Sequence, residues 1–233
     1  MSARKLVIAI DGPAGSGKST IAALLAKRLG YVNLESGAMY RALALKALES
    51  HVPLDDGSAL RALAEQTQIE LIPSEGANRV LLDGKTVSER IREPDVTVAA
   101  SQVSVHPSVR ELMVARQREM GVQGGVIMEG RDIGTVVFPG ADVKIFLDAD
   151  AGVRAERRVL QAASDGPQDS HRVVSEMAAR DQRDQTRAAS PLLPAPDAMV
   201  IDSTHKSINE VVAEIEAIVE DKKIRLGRSI TGR

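Results

Sequence analysis

A run of apolar residues, Leu6-Val-Ile-Ala-Ile10, passes directly into Asp11-Gly-Pro-Ala-Gly-Ser-Gly-Lys-Ser-Thr20, and an apolar-periodic segment, Ile21 to Leu29, follows. Strand, glycine-rich turn, Lys-Ser and helix in that order form the phosphate-binding P-loop pattern. The glycines let successive backbone N–H groups turn inward around phosphate oxygens, because no Cβ blocks the dihedrals required. Lys18 adds a point charge beside the outer phosphates, the helix N-terminus adds a positive dipole end, and the Ser19 hydroxyl suits a Mg²⁺ ion. Gly12, Pro13, Ala14, Gly15, Ser16, Gly17, Lys18, Ser19 and Thr20 are therefore the expected contacts of a nucleoside triphosphate.

The 233 residues suffice for one large α/β domain with a small insertion. Thirty basic against thirty-two acidic residues leave a formal charge of −2, so no global field favours nucleic acid. Aromatic residues make up only 2% of the chain, which argues against base-stacking platforms and requires an aliphatic core. The absence of cysteine excludes disulfides and cysteine-ligated metals. Met1-Ser-Ala-Arg-Lys5 leads straight into the first strand and no apolar run reaches membrane-spanning length, so a cytoplasmic protein with no membrane partner is expected. Nothing in the pattern demands an obligate interface, and a monomer is expected.

Short β-rich runs fall at 5–10, 125–128, 143–147 and 199–202, with a weaker one at 31–34. Helical periodicity falls around them, at 18–29, 37–49, 107–120, 151–163, 170–187 and 207–224. Pro107 suits a first helical turn and Ser207 an N-cap. Strands alternating with helices predict a parallel sheet of about five strands covered on both faces. The stretch 67–92 differs: Gln68-Ile-Glu-Leu-Ile72 alternates, Arg79-Val-Leu-Leu-Asp83 is strand-like, and Asp83-Gly84 is a hairpin signal before Thr86-Val87. This reads as a small antiparallel insertion, after which Pro94 opens a helix to about Val105. Ser164 to Ser170, with Gly166 and Pro167, reads as a mobile loop between two charged helices, and Arg225 to Arg233 as a fraying end.

Three further constellations bear on chemistry. Glu35-Ser-Gly-Ala-Met-Tyr-Arg41 starts a helix, and Arg41 is placed to clamp a second phosphate. Ile127-Met-Glu-Gly-Arg-Asp-Ile-Gly134 ends a strand, so Glu129, Arg131 and Asp132 fall at the carboxyl edge of the sheet, where such folds bind ligands. Arg131 suits phosphate, Asp132 a base or sugar, and Glu129 a Mg²⁺ ion through water. Finally, Arg154, Arg157 and Arg158 share one helix, and Arg180, Asp184 and Arg187 form a stripe along another. Such runs are usually solvated faces. Flanking a Gly/Pro loop in a phosphate-binding chain, they read instead as a lid whose arginines neutralise a phosphoryl group in transfer. His51, His106, His171 and His205 are scattered without ligand spacing and receive no role.

Taken together, the P-loop, Ser36-Gly-Ala-Met-Tyr-Arg41, Ala99-Ala-Ser-Gln-Val103, Glu129-Gly-Arg-Asp132, Arg180 to Arg187 and Ser190-Pro-Leu resemble the bacterial cytidylate kinases of the nucleoside monophosphate kinase family over essentially the full length. The resemblance implies a P-loop nucleoside monophosphate kinase fold comprising a core (about 1–35, 107–152 and 188–225), a monophosphate-binding region with the β insertion (about 36–106) and a lid (about 153–187). It implies ATP and Mg²⁺ at the P-loop, with Ser19 as metal ligand, and CMP or dCMP as acceptor. Ser101, Arg110 and Asp132 would then read the cytosine ring, with Ser36 assisting at the nucleoside. Arg41 and Arg131 would hold the monophosphate, Arg180 and Asp184 the pentose, and Lys18, Arg131, Arg157 and Arg187 would serve catalysis. Glu129 departs from the aspartate common at its position in the family. Rivals are another P-loop small-molecule kinase, an ATP-binding module without catalysis, and a regulatory GTPase; an Asn-Lys-x-Asp guanine-reading string, expected of the last, is absent.

Overall fold

The computed structural model describes residues 5–74, 78–164 and 169–231. Its centre is a five-stranded sheet in the order β2-β6-β1-β7-β8, every pair parallel. The strands are β1 (Val7–Asp11), β2 (Val32–Glu35), β6 (Val126–Gly130), β7 (Val143–Asp148) and β8 (Met199–Asp202). Helices cover both faces, so β6 is buried along its whole length and β1 nearly so. That is why these strands read as continuous apolar runs rather than alternating ones.

On one face α1 (Lys18–Leu29) and α8 (Ile208–Thr231) pack Ile21, Leu25, Val212 and Ile215 against Ile8, Ile10 and Ile145. The other face packs Ala9 and Met128 against Val114 of α5 (Pro107–Gly121) and against Ile133 and Val137 of a short π-turn, Ile133–Val137. A second core gathers around α2 (Ser36–Glu49), which is buried on nearly every side. Ala38, Ala42, Ala44 and Ala47 keep its surface low, so α4 (Pro94–Val103) can approach closely through Ala99 and Ala100.

The antiparallel insertion is present as β3 (Ile69–Ile72), β4 (Arg79–Leu82) and β5 (Lys85–Thr86), in that order. Asp83 and Gly84 both take positive φ, 49° and 78°, as a two-residue hairpin turn requires. The Asn78 side chain fastens this insertion to edge strand β2, accepting from the Glu35 N–H at 3.0 Å and donating to the Asn33 carbonyl at 2.8 Å. The charged helices are α6 (Ala151–Ser164) and α7 (Ser170–Thr186); residues 165–168 of the loop expected between them lie outside the described residues.

Three features differ from the sequence expectation. Helix α3 (Gly57–Gln66) was not anticipated, although Asp56 caps it through the N–H groups of Ser58 and Ala59 and Leu60 and Ala64 bury one stripe. The π-turn was also unforeseen. The last helix continues to Thr231 instead of ending near residue 224. Ser207 does cap it, exchanging hydrogen bonds with Glu210 in a capping box.

Gly12 joins β1 to the loop at φ +149°, and a Cβ there would lie 2.0 Å from the Leu147 carbonyl oxygen on β7. Neither atom can retreat without breaking the sheet. Gly12→Ala is expected to cost about 2 kcal/mol or more, read as a lowered urea midpoint with an unchanged m-value.

Candidate active site

Parallel pairing aligns the carboxyl ends of β1, β2 and β6: Asp11 sits opposite Gly130, and Glu35 opposite Glu129. The loops leaving these strands therefore share one wall of a cleft of about 580 Å³. This is the volume range of small-molecule sites. Arg180 and Asp184 of helix α7, and Arg187 directly after it, line the same cleft. Of the candidate site residues singled out from the sequence, all line the cleft except Gly12, Pro13, Ser101 and Arg154.

The glycine-rich loop wraps its own lysine. Lys18 is buried, and its Nζ donates to the Pro13 carbonyl at 2.6 Å and to Ser16 Oγ at 3.3 Å. Burial, reinforced by the charge of Arg131, lowers its pKa to about 7. The Ser19 hydroxyl donates to Glu129 Oε1 at 2.7 Å. Hydroxyl and carboxylate oxygens thus meet at the start of α1, a hard-oxygen pair suited to Mg²⁺ when phosphate oxygens complete its shell. Among the described residues no cluster of three or more His, Asp or Glu side chains offers a metal site made by protein alone.

At the other end of the cleft Asp132 is buried and ion-paired with Arg110, while Arg187 Nη2 lies 3.7 Å from its other oxygen. Arg110 also donates to the Ser104 carbonyl at 3.2 Å and lies 5.5 Å from the centre of the Tyr40 ring. Burial raises the Tyr40 pKa to about 12, so its hydroxyl stays protonated. Tyr40 OH, Arg41 Nε, Arg110 Nε and Arg187 Nη2 are all buried with no hydrogen-bond partner. Unpaired buried donors are costly in a folded protein. Four such donors belong to residues that line one cleft.

Between these ends lies a surplus of positive charge. Asp184 accepts from Arg131 Nε at 2.8 Å and lies 4.0 Å from Arg180 and 3.6 Å from Arg187. These three arginines hold its carboxyl below the usual range against the opposing effect of burial. Burial and the neighbouring Arg131 lower the Arg180 pKa to about 10. Arg41 pairs with Glu35, which Arg92 also approaches at 3.4 Å. Ten lysines and arginines line the cleft against four carboxylates. In a chain of net charge −2, that imbalance suits ligands carrying several negative charges.

Two predicted residues sit differently from the rest. Arg157 is turned to the loop after β8, donating to Ser203 Oγ at 3.1 Å and to the Ser203 carbonyl at 2.7 Å. The Ser101 hydroxyl accepts from Arg183 Nε at 2.9 Å and lines a smaller adjoining pocket of about 60 Å³, while Ser104 of the same helical stretch faces the main cleft.

Sequence reasoning gave no role to Tyr40, Arg92 or Asp181. Arg92 follows the insertion and reaches the cleft only through the fold. Asp181 accepts from the Ala14 N–H at 3.1 Å and pairs with Arg154, which donates to the Ala14 carbonyl at 2.9 Å. A Cβ at Gly15 would meet the Arg154 carbonyl oxygen at 2.7 Å, so the loop and α6 touch directly.

A sequence model of the cytidylate kinase family matches residues 8–221. The chain belongs to the cytidylate kinase family. It is 51% identical over 216 residues to a cytidylate kinase from Geobacillus sp., covering 92% of this chain and 96% of that protein. It is 46% identical over 217 residues to the enzyme of Pasteurella multocida, covering 93% and 96% respectively. A third relative, from Enterococcus faecalis, is 48% identical over 223 residues, covering 95% and 99%. The protein is thus a kinase, and the parallel sheet with its antiparallel insertion agrees with the fold expected from the motifs.

Removing Arg110 would leave Asp132 buried with only the more distant Arg187. Arg110→Ala is expected to lower stability by about 3 kcal/mol, as for a broken buried ion pair. Chemical denaturation measures it, and a change below 1 kcal/mol would show that Asp132 does not depend on this partner.

Proposed function

We propose that this chain transfers the γ-phosphoryl group of ATP to CMP or dCMP, giving ADP and CDP or dCDP. One observation carries the reading: a single cleft holds a buried carboxylate and unpaired donors at one end, a glycine-rich loop at the other, and arginines between them. Donor phosphates fit the Gly15–Thr20 backbone and Lys18. The acceptor base fits Asp132, whose carboxylate accepts from the exocyclic amino group of cytosine, while the Arg110 and Tyr40 donors meet ring nitrogen and carbonyl acceptors.

In this reading Arg41 and Arg131 hold the acceptor phosphate, and Arg180 and Asp184 the pentose. The 5′-phosphate oxygen attacks the γ-phosphorus, and the β,γ-bridging oxygen leaves with ADP. The acceptor phosphate is already largely ionised at neutral pH, so no side chain need act as general base. Lys18, Arg131 and Arg187 instead neutralise charge that spreads over the equatorial oxygens, and they also position the two substrates. Ser19 and Glu129 would hold Mg²⁺, which would supply positive charge to offset that of the donor phosphates. Arg157, held by Ser203, lines the same cleft. The α6–α7 pair closes over the cleft and keeps water from the γ-phosphoryl group.

A coupled ADP-release assay against a panel of nucleoside monophosphates tests this. CMP and dCMP are expected to be turned over in preference to UMP, AMP and GMP; preference for another base would overturn the assignment. Lys18→Ala is expected to lower kcat about 100-fold with every acceptor. Asp132→Asn should chiefly raise the KM for CMP, by about tenfold or more.

The depressed Lys18 pKa has a sign that can be measured. Without ligand the amine is mostly neutral above pH 7, and bound phosphates restore its charge. Binding of Mg-ATP at pH 8 should therefore take up close to one proton, falling towards none below pH 6. Calorimetry in two buffers of different ionisation enthalpy reads this uptake. The same uptake in Lys18→Ala would rule out this lysine as the proton acceptor.

A further inference from the structure

Asp11 ends β1 and precedes the P-loop, yet its carboxylate is directed away from that loop. One oxygen accepts from the Ile133 N–H at 2.8 Å and the other from the Gly134 N–H at 2.7 Å. The side chain is 4% exposed. Burial raises its pKa to about 6, with the Asp132 charge adding to the rise and Lys18 opposing it. At neutral pH it is nevertheless mainly ionised, so both oxygens accept.

The two N–H groups open the π-turn that follows Asp132. An aspartate at the start of such a turn ordinarily accepts from the N–H two or three residues on, and of the two donors the Gly134 N–H stands in that relation to Asp132. Here Asp132 makes no such bond. It occupies that starting position at φ −147°, ψ 27°, and its side chain instead extends into the cleft towards Arg110 and Arg187. It is free to do so because Asp11, reaching across from the neighbouring strand, already occupies the Gly134 N–H that would compete for it and holds the adjacent Ile133 N–H as well. The Gly130 backbone leaves room for this crossing of chains; a Cβ there would stand 2.5 Å from Ser36 Oγ and 2.7 Å from Ile133 Cδ1.

We propose that Asp11 is a positioning residue for acceptor-base recognition: by bonding the Ile133 and Gly134 N–H groups, it keeps the Asp132 carboxylate directed into the cleft for the base. The proposal rests on the acceptor reading given above. It also assigns a residue of the donor-loop sequence to the acceptor half of the site.

In Asp11→Asn one accepting oxygen becomes an NH₂ group facing an N–H. The released donor can then draw Asp132 back onto its own turn. Steady-state kinetics are expected to show the KM for CMP raised about tenfold or more, preference for CMP over UMP reduced by a similar factor, and the KM for ATP within twofold of wild type. Asp11→Ser, which is smaller and keeps one acceptor, should give a weaker change of the same kind. Thermal melting of both variants accompanies the kinetics. An unchanged CMP KM and base preference in the two variants would overturn the assignment. So would a rise in the KM values for ATP and CMP together in proportion to lost stability. Wild-type enzyme run in parallel separates the two readings: failure to phosphorylate CMP there would overturn the acceptor reading, and the Asp11 assignment with it.

Discussion

The parallel register between β1 and β6 is the constraint on which the remainder depends. It places Asp11 opposite Gly130, so two loops more than a hundred residues apart in the chain leave the sheet side by side. One begins the glycine-rich turn and the other carries Glu129, Arg131 and Asp132. A shift of one residue would turn Ile8, Ile10 and Ile127 out of the core that α1 and α8 cover. The same apolar contacts that bury the sheet thereby fix the spacing of these two loops. Precision at the site is a by-product of core packing.

Electrostatics in the cleft follow from this arrangement. Arginines are drawn from several separate elements to one place, and the few carboxylates present hold them apart in defined positions. Asp184 tethers Arg131 and lies near Arg180 and Arg187, while Glu35 tethers Arg41. Isolated buried cations would be prohibitively expensive. Each carboxylate lowers that cost without cancelling the field, and the uncompensated remainder leaves the cleft positively charged. Contacts from Asp181 and Arg154 to the Ala14 N–H and carbonyl join the two charged helices to the glycine-rich loop.

Much of this was legible in the chain. The five core strands, the Asp83-Gly84 hairpin, the Pro94 and Pro107 helix starts and the P-loop all rest on local signals, which tertiary packing then reinforces. Helix α3 was missed because ten residues with one buried stripe give a weak period, although its Asp56 cap was visible. Candidate residues at strand ends and helix starts came together, because strand polarity alone carries them to the same edge. Arg92 and Tyr40 could not be chosen from sequence, since an arginine after an insertion and a tyrosine among alanines look ordinary until the fold surrounds them. Ser101 shows the converse: its helix was expected, but rotation about the helix axis gives the cleft to Ser104 and Ser101 to Arg183.

The Asn78 amide that fastens the insertion to β2 has a consequence for behaviour in a crowded solution. β2 lies at the sheet margin, where exposed N–H and C=O groups invite a strand from another molecule. By engaging the Glu35 N–H and the Asn33 carbonyl, Asn78 imitates one residue of a neighbouring strand and then stops. A single side chain thereby blocks templated growth at this margin. The protection sits on the β insertion, whose far end leads to Arg92 in the cleft, so damage there would expose the margin of the sheet and disturb the site together.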